Sequence, residues 1–96
     1  MIELKDTVEL MNSEDYKDRF KAEYLQAKIR KDKLQNMIIK YYAGTLEFEP
    51  KCPIDILTRQ KVYMEEYIDT LMIRAEIEGI ELQSPPSFLD KKLHIK

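Results

Sequence analysis

The sequence predicts an all-α fold: an antiparallel hairpin of two long helices with a short N-terminal segment, assembling into a homo-oligomeric helical bundle. Three observations predict it. The chain has only two glycines and four prolines, and none of them lies between Ser13 and Ala43. Apolar residues recur at alternating steps of three and four on both sides of a central break, the spacing that keeps them on one helical face. The break is short, and a short connection makes consecutive helices antiparallel neighbours.

Each element has its own signals. Residues 1–12, which include IELKDTVELM, form an N-terminal arm or short helix. The first long helix is expected over 13–43. Asn12 and Ser13 are good N-caps, Glu14 and Asp15 suit the positive end of a helix dipole, and Gly44 fits the left-handed position that ends a helix. Thr45 to Cys52 is the connection. Pro53 suits the first position of the second helix, where a missing N–H costs nothing, and Gly79 closes that helix after residue 78. The hairpin domain is thus 13–82. Residues 83–96 form a tail that begins Ser84-Pro85-Pro86-Ser87, with Phe88 and Leu89 able to dock it.

The seam of the first helix reads Tyr16, Phe20, Tyr24, Ala27, Lys31, Leu34, Ile38, Tyr41; that of the second reads Leu57, Lys61, Met64, Ile68, Leu71, Ala75. Over 13–43 eight Lys/Arg face five Asp/Glu, whereas over 53–78 three face six, so the helices carry +3 and −3 and attract weakly. Each helix also has a second apolar stripe: Leu25, Ile29, Met37 and Ile39 flanked by Tyr42, and Ile56, Tyr63, Tyr67 and Ile77. One hairpin buries one seam. The remaining stripes predict self-association beyond a dimer, unless the arm and tail cover them.

Composition narrows the function. A net charge of −2 argues against a nucleic-acid polymer as partner. No apolar run reaches the ~20 residues of a membrane span, and the single cysteine, Cys52, suits a reducing compartment, so a cytoplasmic location is expected. His94 is the only histidine and there is no glycine-rich loop. No catalytic constellation, metal site or cofactor is therefore expected, and the chain reads as a non-enzyme.

Two features suggest a ligand. The run Lys28-Ile29-Arg30-Lys31-Asp32-Lys33 spreads cations around the first helix, either as a solvated face or as an anion site. Lys31 falls within the apolar seam, where it must snorkel outward, pair with a carboxylate or face a ligand. Six of the nine aromatics are tyrosines, which can stack on a base or line a helix interface.

The stretches YKDRFKAEYLQAKIRKDKLQNMI, AGTLEFEPKCPIDILTRQ and MEEYIDTLMIRAEIEGIEL resemble a group of small phage and prophage helical-hairpin proteins. That group is similar to the hairpin domain of phage anti-CBASS and Thoeris anti-defence proteins. The resemblance spans 13–82 and implies a sponge: a homo-oligomer that holds a cyclic nucleotide second messenger, such as a cyclic di- or trinucleotide or a cyclic ADP-ribose, without cleaving it. It implies a ligand held by an aromatic at the start of the first helix and by cations along it, with neighbouring subunits closing the pocket. The matching positions are Tyr16, with Tyr24 as the alternative aromatic, then Lys28, Arg30 and Lys31, and Arg74 in RAEIEGI as a second-site cation. The competing reading is a structural or adapter oligomer that inhibits or scaffolds a host protein by direct contact.

Overall fold

The computed structural model describes residues 2–82, which are helical with no strand among them. The expected docking of the tail through Phe88 and Leu89 lies outside the described residues. A 3-10 turn, Leu4–Thr7, runs into a one-turn helix α1, Val8–Met11; the long helices are α2, Tyr16–Ala43, and α3, Ile54–Glu78. Contacts between α2 and α3 run in opposite order: Tyr16 meets Arg74 and Glu78, and Glu23 meets Tyr67. The long helices are therefore an antiparallel pair. No described helix is long and apolar enough to cross a membrane.

Helix α2 starts three residues later than the sequence suggests. Asn12 closes α1, and Ser13 is spent on the turn: its hydroxyl accepts from the Asp15 N–H at 3.0 Å and donates to Asp18 at 2.8 Å. Asp15 is the true cap, its carboxylate accepting from the Lys17 N–H at 2.9 Å. Pro53 sits one position before its expected place, as the N-cap of α3; its carbonyl accepts from the N–H groups of Ile56 and Leu57.

Both glycines act as expected. Gly44 and Gly79 have φ of 78° and 71° and end α2 and α3. After Gly79 the Ile80 N–H donates to the Ala75 carbonyl at 2.9 Å, six-to-one across the helix end. That bond folds Ile80 back onto the core, where it is 6% exposed beside Ala75. The motif RAEIEGI is thus a helix stop that recruits one more core residue. Gly79→Ala is expected to cost about 1 kcal/mol, since a Cβ there meets open space and only the left-handed backbone resists it. Urea unfolding followed by circular dichroism measures that loss.

The core is concentrated at the open end of the hairpin, away from the connection. Phe20, Tyr24, Leu25 and Ala27 of α2 pack with Ile68, Leu71 and Ala75 of α3 and with Ile80, joined by Leu10 of α1. The arm lies against α2, so Leu25, read from sequence as part of an outward stripe, is instead buried. Thr7 pins the arm: fully buried, it donates to the Leu4 carbonyl at 2.7 Å and accepts from Gln26 Nε2 at 2.9 Å. Towards the connection packing thins, and between residues 28 and 67 only Ile38 is buried.

Candidate functional site

Two places collect the residues singled out by sequence. The first is the open end of the hairpin. Tyr16 is the first residue of α2, and Arg74 and Glu78 lie one turn apart near the end of α3, so antiparallel packing brings all three together. Arg74 Nη2 donates to the Tyr16 hydroxyl at 2.6 Å, and Arg74 Nε donates to Glu78 Oε2 at 3.2 Å. The Tyr16 hydroxyl donates in turn to Glu78 Oε1 at 2.9 Å. Beneath them the Phe20 ring, 2% exposed, lies 4.8 Å from the Arg74 guanidinium carbon. A cation over an aromatic face is held electrostatically as well as by contact. The guanidinium keeps further N–H donors beyond these two bonds, and its side chain is 44% exposed. This is a planar donor fork, fixed from below and from two sides, with an open edge.

The Tyr16 phenol is raised above its ordinary pKa, first by its hydrogen bond to Glu78, then by desolvation, against the opposing pull of the Arg74 charge. A phenol raised in the folded state stabilises the fold below its unfolded value of about 10, and that contribution is lost as pH rises through the folded value. The stability difference between wild type and Tyr16→Phe is therefore expected to stay constant from neutral pH to about pH 9 and to shrink above about pH 10. Urea midpoints of the two proteins across that range check it.

The second place is the middle of α2. Lys31 reaches Asp32 Oδ1 at 2.9 Å and Gln35 Oε1 at 3.2 Å, and Lys28 reaches Asp32 Oδ2 at 3.8 Å. Of the three options for the seam lysine, pairing with a carboxylate is the one adopted. Arg30 is exposed and points to solvent, apart from the other two. The basic run is thus partly neutralised from within, and its cations do not converge with Tyr16. Tyr24, the alternative stacking aromatic, is 1% exposed and belongs to the core, with no ring face open to a ligand in this conformation.

Sequence reasoning missed Glu78 and the supporting role of Phe20. The four-residue spacings Tyr16–Phe20 and Arg74–Glu78 were available as signals, since residues four apart share a helix face. It also missed Arg59 and Gln60. With Ile56, Tyr63, Met64 and Tyr67 they line an open groove on α3. Among the described residues no group of three or more His, Cys, Asp or Glu is placed to hold a metal ion.

The family model described as Sequestin matches residues 14–77, which take in α2, the connection and nearly all of α3. The chain belongs to the Sequestin family. Its name points to the sequestering of a ligand or partner. The Sequestin match includes Tyr16, Phe20, Lys28, Arg30, Lys31 and Arg74, stops one residue short of Glu78 and leaves out the arm. No curated protein and no solved structure matches the chain.

Proposed function

We propose that this Sequestin is a phage anti-defence sponge that binds and sequesters a cyclic nucleotide immune signal, a cyclic di- or trinucleotide or a cyclic ADP-ribose, without cleaving it. It acts in the cytoplasm of an infected or lysogenic bacterial host. The observation that carries this reading is the family match across both long helices, in a family named for sequestration. The open-end cluster supports it. Arginine recognises phosphate with paired N–H donors, and Arg74 is already oriented by Phe20, Tyr16 and Glu78. A sponge needs a fixed receptor and no acid–base pair. Lys28, Arg30 and Lys31 contribute where a neighbouring subunit brings them to a phosphate.

The assembly we propose is a homo-oligomer larger than a dimer. Ile56, Tyr63, Tyr67, Ile73 and Ile77 are 41%, 62%, 44%, 61% and 79% exposed along α3. Ile39 and Tyr42 on α2 are 55% and 69% exposed. Light scattering is expected to give a mass several times that of one chain, and Tyr63→Glu in the middle of the α3 stripe is expected to reduce it. A clean monomer at micromolar concentration would remove both the assembly and the shared pocket.

The same exposed α3 groove favours a second reading, an adapter that inhibits a host protein by direct contact. A thermal-shift screen against cyclic di- and trinucleotides and cyclic ADP-ribose isomers separates the two. Stabilisation by one nucleotide, recovered intact by chromatography after heat denaturation, supports the sponge. No stabilisation by any of them, with a host protein co-purifying, supports the adapter.

A further inference from the structure

Glu78 stands where helix rules disfavour it. It is the last residue of α3, at the negative end of the helix dipole, and the last turn of α3 carries no basic residue. Its partner Arg74 precedes it by four, the weaker of the two orders for such a pair. Neither the dipole nor the pair order accounts for a carboxylate here. What accounts for it is its aim: one oxygen accepts from Arg74 Nε, and the other from the Tyr16 hydroxyl, which Arg74 also contacts. Two oxygens of one anionic group thus bridge an arginine N–H and a phenol, positions that two oxygens of a phosphate can take in its place.

We propose that the Glu78 carboxylate is an internal surrogate for a ligand phosphate, occupying the Arg74–Tyr16 fork when the site is free and displaced when a phosphate-bearing ligand binds. This rests on Arg74 being the anion receptor of the sponge. The consequence is selectivity. A tethered carboxylate competes at high effective concentration, so a weak monoanion such as acetate cannot replace it. A phosphate of a ligand that carries two or more such groups can, because it takes the guanidinium bonds, gives the Tyr16 hydroxyl an acceptor in exchange, and is held in place by the ligand's other contacts. Arg74 stays over Phe20 in both states, so the fork is never without an anion and never collapses. Glu78 is a specificity-determining residue whose part is to leave.

The test uses the full ¹⁵N-labelled chain titrated with inorganic pyrophosphate, with acetate as control at matched ionic strength. The readout is the Nε–Hε resonance of Arg74, assigned by its loss in Arg74→Lys. Glu78→Gln, which keeps shape but removes the competing charge, is expected to bind pyrophosphate roughly tenfold more tightly than wild type, with the Arg74 resonance moving in both and acetate moving neither. Glu78→Asp, one methylene shorter, is expected to fall between them, and it carries the test if Glu78→Gln does not fold. Equal affinity across the series, or an Arg74 resonance that ignores pyrophosphate, overturns the proposal. The sponge reading fails separately. A cyclic nucleotide that binds tightly while leaving Arg74 unmoved sinks only the Glu78 proposal. Tighter pyrophosphate binding by Glu78→Gln, with no cyclic nucleotide bound by either protein, upholds it and sinks the nucleotide sponge.

Discussion

Tyr24→Ala is expected to cost about 3–5 kcal/mol of folding stability, the range for truncating a buried aromatic. Tyr24 is 1% exposed in the core cluster of the described residues, with Phe20 and Leu25 of its own helix and Ile68 and Leu71 of α3. A domain of this size has about 5–10 kcal/mol in total, so the variant is left with about 0–7 kcal/mol and a much narrower margin against unfolding. Tyr24→Leu, which restores much of the volume, is expected to recover most of the loss. Urea unfolding of the two variants gives both values. A Tyr24→Ala protein as stable as wild type but deficient in nucleotide binding would reverse the assignment and return Tyr24 to the ligand site.

Arg74→Ala is expected to do the opposite, sparing the fold and weakening the ligand. Its pair with Glu78 is half exposed and contributes at most about 1 kcal/mol to stability. Loss of a charge-assisted bond to phosphate costs about 1.5–3 kcal/mol, roughly ten- to hundredfold in dissociation constant. Titration calorimetry with the best nucleotide of the screen, beside a melting curve, measures both. Lys51→Ala, in the exposed connection far from the cluster and outside the proposed site, is the comparison. Unchanged affinity in Arg74→Ala would make the Tyr16–Arg74–Glu78 cluster a clasp between helix ends and nothing more.

Much of this architecture is legible in the sequence because its signals are local. Glycine at a left-handed helix end is read one residue at a time, and Gly44 and Gly79 stand where that rule puts them. The start of α2 is less legible, since Ser13 and Asp15 are both good caps and only the turn shows that one hydroxyl serves the other's backbone. Seam residues Phe20, Tyr24, Ala27, Ile68, Leu71 and Ala75 are buried as their spacing implies, yet Tyr16 at the open end and Tyr41 at the other are 45% and 38% exposed. Periodicity gives the face and not the depth, which depends on what else packs there. The arm supplies that at one end, and the connection does not supply it at the other. The candidate site follows the same division. Tyr16 and Arg74 can each be picked out by type, but their meeting depends on the register of the antiparallel pair, a non-local property. Glu78 was invisible because a carboxylate near a helix end looks like any solvated charge until its partners are placed.

The uneven packing along the hairpin has a thermodynamic consequence. From residue 28 to residue 67 only Ile38 is buried, so this half of the molecule holds its shape by half-buried seam contacts such as Leu34, Leu57 and Met64, by backbone hydrogen bonds and by the anchored half below it. A segment so lightly held responds to mass action: any molecule that binds its folded form adds stability in proportion to the logarithm of that molecule's concentration. For this half of the hairpin, foldedness is a function of the company it keeps.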